Sequence, residues 1–340
     1  MATLRKLPFF FLTLVILGAG GYAQTEFEKT LRLAQQGDAE AQNELGVMYH
    51  HGKGVPKDYK EAAKWYRKAA DQGNAGSQFI LGMMCATGKV VPEDDQEAAK
   101  WLQLAADQGD ARAQTVLGMM YGTGEGVPKN DQEAAKWYRM AAEQGYALAQ
   151  FNLALMYING GGNTPTSLRW EGIPKDYQEA AKWYRMAADQ GHVEAQFNLG
   201  LMYDIGQGVL KDYQEAFKWY RLAAEQGYAL AQFNLGMMYY HGEGVPKDYQ
   251  ESIKWYRMAA DQGHADAQVA LGRMYRKGEG VSRDYVLAYM WMNVAVSNST
   301  EEDDRERRGK VLDETQIKMT PEQISEAQKL SREWKPKGKN

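Results

Sequence analysis

The sequence has a single cysteine, Cys85, among 340 residues, so no disulfide can close within the chain. An oxidising compartment would therefore add no internal cross-link. A large excess of charge of one sign is also missing. The formal net charge is −4, and without Arg5 and Lys6, the only charges in the first 23 residues, it becomes −6. A mildly acidic chain has no electrostatic basis for binding nucleic acid or an anionic lipid surface. Catalytic signatures are missing too: there is no Gly-x-Ser-x-Gly, no His-Glu-x-x-His and no phosphate-cradling glycine loop. The five histidines are His50, His51, His192, His241 and His264. His192 and His264 share a repeat position two copies apart, too far to meet within about 2.1 Å of one metal ion. No catalytic residue, metal site or cofactor is assigned.

Long apolar runs are absent as well. The best candidate, Leu7 to Gly18, falls short of the roughly 20 residues that span a bilayer. It follows Arg5 and Lys6 and precedes Gly21-Tyr22-Ala23, the order of a secretory signal with small residues at the cleavage point. An uncleaved anchor is the alternative. Cleavage after Ala23 leaves a periplasmic or secreted chain starting at Gln24, with no integral membrane segment. No cysteine stands beside that site, so lipid attachment is not indicated.

What the sequence does have is repetition. Apolar residues make up 44% and charged residues 25%, within the globular range, so disorder is not the default. Gln-Gly recurs at Gly37, Gly73, Gly109, Gly145, Gly191, Gly227 and Gly263, 36 residues apart except for one interval of 46. The copy from Ala229 to Gly263 shows the whole unit, and it reads as two helices. In the first, Ala231, Leu235 and Tyr239 are four apart and share a face. Gly236 (Gly46, Gly82, Gly118, Gly200 and Gly272 elsewhere) costs about 1 kcal/mol against Ala in a helix, which implies close approach of a neighbour. Gly242 and Gly244 end that helix. Asp248 and Glu251 open the second as a capping-box-like pair, repeated at Asp58/Glu61, Asp176/Glu179 and Asp212/Glu215 and varied at Asn130/Glu133. Capping explains these paired acids better than acid–base catalysis does.

Trp recurs at 65, 101, 137, 183, 219, 255 and 291. Burying one removes about 150–250 Å² from water, worth at most about 4–6 kcal/mol. Seven at one position read as core. Cys85 stands where other copies carry Tyr121, Tyr157 or Tyr203 and reads as a small core filler. One helix pair cannot bury its own stripe, so the copies must stack, with capped ends. Residues 24–37 supply a front helix, and 299–340 supply closing helices. There Glu301 to Lys310 reads as a solvated helix surface. Thr320-Pro321-Glu322-Gln323 opens a last helix that Trp334 seats on the final repeat.

The pattern Ala-x-Ala-Gln-x-x-Leu-Gly-x-Met-Tyr with Lys-Trp-Tyr-Arg-x-Ala-Ala, over residues 38–298, resembles the Sel-one-like repeat (SLR) family, a relative of the tetratricopeptide repeats. The resemblance implies an all-α, right-handed α/α solenoid of about seven helix-turn-helix repeats, whose first helices line a concave face. It further implies an adaptor that assembles protein complexes. A cysteine-rich exported branch has been described as β-lactamase-like. This chain departs from it, having Cys85 alone and lacking Ser-x-x-Lys, Ser-Asp-Asn and Lys-Thr-Gly.

Two places are candidates for contact. Asn152, Asn198 and Asn234 share one first-helix position in three successive copies. Their carboxamides can hold an extended peptide backbone, or they can bond between helices and fix the repeat geometry. Leu155, Leu201 and Met237, one turn on, would give such a groove an apolar surface. The fourth repeat also carries ten extra residues within about 158–172, including Leu168, Arg169 and Trp170. These are contact types on an exposed loop, unless Trp170 folds back onto the stack. The expected partner is a protein or peptide, with an envelope polysaccharide or peptidoglycan as the alternative.

Overall fold

The computed structural model describes residues 26–88, 90–160, 170–299 and 302–337. The expected leader, residues 1–23, lies outside them, as do Leu168 and Arg169. Among the described residues every regular element is a helix, and one isolated bridge joins Gly160 to Trp170. Helix α1 occupies 26–35. Seven pairs follow: α2 (Ala39–His51) and α3 (Tyr59–Asp71), α4 (Ala75–Thr87) and α5 (Asp95–Asp107), α6 (Ala111–Thr123) and α7 (Asp131–Glu143). Next come α8 (Ala147–Asn159) and α9 (Tyr177–Asp189), then α10 (Val193–Ile205) and α11 (Tyr213–Glu225). The last pairs are α12 (Ala229–His241) with α13 (Tyr249–Asp261), and α14 (Ala265–Lys277) with α15 (Tyr285–Ser297). Helices α16 (Glu302–Gln316) and α17 (Pro321–Glu333) close the described chain. There are two compact units, the first ending at Lys175 and the second starting at Asp176. Within each, helices pack on their neighbours in sequence, as in an all-α solenoid.

The first-helix glycine answers to one large side chain of the same pair. A Cβ on Gly236 would lie 2.6 Å from the ring of Tyr256, and Gly46, Gly118 and Gly200 face Tyr66, Tyr138 and Tyr220 in the same way. Gly82 meets Leu102, and Gly272 meets Met292. That residue, one after each Trp, fills the centre of the pair. Tyr66, Tyr184 and Tyr220 are among the largest fully buried side chains, and burial pushes the Tyr66 phenol up to about 12. The expectation of seven core tryptophans is therefore corrected. Trp137, Trp219, Trp255 and Trp291 are buried, but Trp65, Trp101 and Trp183 are only half-buried. One residue step turns a helix by about 100°, which carries the indole to the margin of the stripe.

A buried glutamine ties the helices together. Gln232 on α12 donates its Nε2 to the carbonyl of Ala224 on α11 at 3.1 Å, and its Oε1 accepts from Gln262 at the end of α13 at 2.8 Å. Gln42, Gln78, Gln114 and Gln196 make the same two bonds, to Ala34, Ala70, Ala106 and Ala188 and from Gln72, Gln108, Gln144 and Gln226. Each relay thus fixes a first helix, the helix before it and the second helix of its own pair. The last copy is incomplete. Gln268 reaches the Ala260 carbonyl at 3.1 Å, but its buried Oε1 has no partner. The donor's place, 30 residues on, holds Asn298, one methylene shorter than Gln.

The caps follow expectation in part. Asp58, Asp176, Asp212 and Asp248 each accept from two backbone amides at the start of a second helix, as Asn130 does. The third-position Glu does not reach back, however. Glu61, Glu133, Glu179, Glu215 and Glu251 pair instead with the Lys three residues on, at 2.5 to 3.3 Å. A full capping box forms only at Thr320 and Gln323, ahead of Pro321, among the described residues. The turn glycines hold positive φ, 80° at Gly242 and 71° at Gly244, where a Cβ would strike the Tyr213 carbonyl. At the chain's end Trp334 meets Trp291 edge-on, ring centroids 6.1 Å apart. Helix α16 is solvated along much of its length, but Arg308, Leu312 and Thr315 are buried, and Arg308 bonds to Ser299 and Asp266.

Two substitutions test these contacts. Gly236→Ala should destabilise the chain by about 1–3 kcal/mol in urea unfolding through overpacking. In a Tyr256→Ala background the same change should stabilise, by up to about 1 kcal/mol of helix propensity; an equal loss in both backgrounds would refute the steric account. Asn298→Gln should supply the missing donor to Gln268 and raise the unfolding midpoint, by about 1 kcal/mol.

Candidate functional site

The first helices of the second unit, α10, α12 and α14, present one register of side chains. Asn198 and Asn234 occupy it as expected, half-buried, and each hydrogen-bonds a phenol of the preceding helix, Tyr184 on α9 and Tyr220 on α11. Tyr220 also donates to Asp204 at 3.2 Å. These two carboxamides are therefore engaged between helices. Asn152 and Leu155 hold the same register on α8 in the first unit, where Asn152 makes no such bond among the described residues. One turn on, Leu201 is 37% exposed and Met237 is half-buried.

Met237 opens onto a groove of about 390 Å³ between α12, α14 and α16. Phe233 and Met237 from α12, Ala270 from α14 and Val311 from α16 give it an apolar floor. Tyr240 stands at the rim, donating to Glu279 at 3.0 Å. Arg273 and Lys277 on α14 and Arg307 on α16 supply positive charge. Helix α16 forms a wall here because two arginines hold it. Arg308 bonds to Asp266 at 2.9 Å, and Arg276 to Glu314 at 2.8 Å. Sequence reasoning reached Met237 but not this wall, since no repeat predicts where a closing helix docks. A readable signal lay in the register itself, which runs Leu201, Met237, Arg273.

The insertion resolves differently. Trp170 lays its ring over Gly122 of α6, within 2.9 Å of where a Cβ would stand. The Glu171 amide donates to Asp131 Oδ2 at 2.6 Å. Trp170 thus folds back onto the first unit, on a seat open because position 122 is glycine. The remaining chemistry-bearing residues serve structure. Cys85 is fully buried, and burial pushes its thiol up, away from the reactive thiolate. It stands 18 residues after Arg67, where Arg139, Arg185 and Arg257 reach Tyr157, Tyr203 and Tyr275. Lacking a phenol there, Arg67 pairs with Glu97 at 2.7 Å. His192 and His264 are helix N-caps whose Nδ1 accepts from Ala195 and Ala267. No group of three His, Cys, Asp or Glu side chains could hold a metal among the described residues. No described helix is long and apolar enough to cross a membrane.

Comparison with known proteins agrees with this architecture. The Sel1 repeat model matches seven consecutive segments: 39–74, 75–110, 111–146, 147–192, 193–228, 229–264 and 265–298. The crystal structure of a Sel1 repeat protein from Oxalobacter formigenes is 33% identical, over 71% of this chain and 96% of that one, at a TM-score of 0.57. A protective antigen present in uropathogenic Escherichia coli strains, displaying an SLR fold, is 32% identical. That match covers 92% of this chain and 79% of the antigen, at a TM-score of 0.43. No curated protein matches the chain.

The His264 cap carries a pH dependence. Burial, aided by Arg308 and opposed by Asp266, lowers its pKa from 6.5, so the folded chain favours the neutral ring that can accept the Ala267 amide. The unfolded chain takes up the proton first as pH falls. This contribution is complete above about pH 6.5 and is lost below it. Urea unfolding from pH 7.5 to 5 should show that decline, and His264→Asn, which keeps a cap acceptor without a titrating ring, should reduce it to the share left by His192 and His50, whose pKa values burial also lowers.

Proposed function

The chain belongs to the Sel1 repeat family, and from that premise we propose that it is an exported scaffold holding a protein or peptide on the face of its first helices. Members of the family generally act as protein–protein interaction scaffolds. One observation carries the choice of face. In the second unit Leu201 and Met237 leave apolar surface at successive first-helix positions, running toward the groove over Ala270 and Val311. Burying aliphatic surface of this kind is worth about 25 cal/mol per Å², and an apolar strip with a polar rim is the usual form of a contact surface. Asn198 and Asn234 support the strip from behind, their bonds to Tyr184 and Tyr220 keeping adjacent helices in register. The rim around Trp170 is a weaker candidate because that ring is already packed on Gly122. Export rests on Arg5, Lys6, the run Leu7 to Gly18 and the small residues before Gln24.

Chemical crosslinking in cells making the full chain, followed by purification and mass measurement, tests both parts. The purified chain should begin at Gln24 and carry a protein partner that is lost in a folded Leu201→Glu/Met237→Glu variant, with folding checked by circular dichroism. Equal recovery by the two forms would move the site off this face. Retention on peptidoglycan with no crosslinked protein would replace the protein partner with a glycan.

A further inference from the structure

The first-helix register changes character at the last repeat. Position by position, α10, α12 and α14 carry Leu201, Met237 and then Arg273, and four residues on they carry Ile205, His241 and then Lys277. The last first helix thus substitutes cations for side chains that are neutral or aliphatic in the two before it. Those cations fall beside the groove, whose floor is Phe233, Met237, Ala270 and Val311. Arg273 is exposed and makes no hydrogen bond or ion pair among the described residues. Lys277 is exposed, with Glu279 and the Tyr240 hydroxyl each 3.4 Å away. The one acid lining the groove, Asp266, is already held by Arg308 at 2.9 Å. The groove is therefore positively biased in a chain whose net charge is −4.

We propose that this groove accepts an acidic peptide segment with at least one aliphatic or aromatic side chain, the apolar group on the floor and the carboxylates at Arg273 and Lys277. The inference rests on the scaffold reading above and names the partner's chemistry at the same face. A phosphate polyanion is a poorer occupant. It would leave the apolar floor of Phe233, Met237, Ala270 and Val311 uncovered. An acidic, apolar segment satisfies floor and rim together. Arg presents a planar fork to a carboxylate and Lys a mobile point charge, so the Arg273 contact should depend more on geometry. Two exposed pairs at about 0.2–1 kcal/mol each amount to a discrimination of about tenfold.

A random twelve-residue peptide display, selected against the full mature chain and counter-selected against Arg273→Glu/Lys277→Glu, tests this. The recovered sequences should be net acidic and carry an apolar residue. By fluorescence anisotropy at 50 mM salt, the leading peptide should bind about tenfold more tightly than its Asn/Gln counterpart. It should lose a similar factor against the charge-reversed chain and weaken as salt rises. Arg273→Gln/Lys277→Gln serves the same comparison if the reversed variant does not fold. A neutral or basic pool, no discriminating pool, or affinity indifferent to both variants overturns the proposal. If a cellular partner is lost in Leu201→Glu/Met237→Glu but unmoved by charge reversal, this inference fails and the scaffold reading stands. If acidic peptides bind in the groove while no cellular protein is captured, the reverse holds.

Discussion

A glutamine with no access to water holds three helices at once. At Gln232, one carboxamide gives its N–H to the end of the preceding helix, and its oxygen takes an N–H from Gln262, the residue that caps the following one. Leaving either group unpaired would cost about 1–3 kcal/mol, so register and spacing are set together. The acceptor carbonyl lies in the last turn of a helix, where it also takes the Gly227 N–H at 3.0 Å. Gln232 therefore adds a further bond at a helix end while it fixes a neighbour. The same two bonds recur in both units, and the repeat is as regular as this contact requires.

Around that tie the remaining positions become intelligible. The first-helix glycine lets a Tyr, Leu or Met ring or chain lie flat against the backbone, at distances no Cβ allows. The Trp before it is displaced to the edge, where four indole N–H groups, at Trp137, Trp183, Trp219 and Trp255, are buried without an acceptor. Trp101 escapes this because Glu97 accepts from it at 3.2 Å while also pairing with Arg67. That arrangement follows from Cys85, which leaves Arg67 no phenol to reach. One small residue thus goes with a redirected arginine in the preceding pair and a glutamate and an indole in its own.

Most of the architecture was legible because repetition multiplies weak signals. One Gly-x-Gly or one Asp before an apolar run means little, whereas six of each in register locate helix ends and caps. Local signals still misled where two partners competed. Asp58 caps its helix, but Glu61 prefers Lys64 at 2.5 Å to the backbone amide expected of a capping box. The asparagines were ambiguous for a related reason, since a carboxamide suits a peptide backbone and a phenol equally well. Tyr184 and Tyr220 proved to be the neighbours of Asn198 and Asn234. Trp170 offered no periodicity to read, and its seat depends on a glycine 48 positions earlier in the chain.

Period, helix pairing, caps and turn glycines were written in the order of residues, because each depends on partners within one 36-residue unit. The shared glutamine was visible as a letter in every copy but silent as to role, because its two partners belong to the helices before and after its own. The groove lay furthest from reach. It exists because α16, whose acidic and basic run looked wholly solvated, turns Arg308 inward to Asp266 and Ser299 and stands as a wall beside α14. A closing helix has no second copy to compare with. Its docking, and hence the convergence of Met237, Val311 and Arg273, is fixed by packing between distant segments rather than by any pattern along the chain.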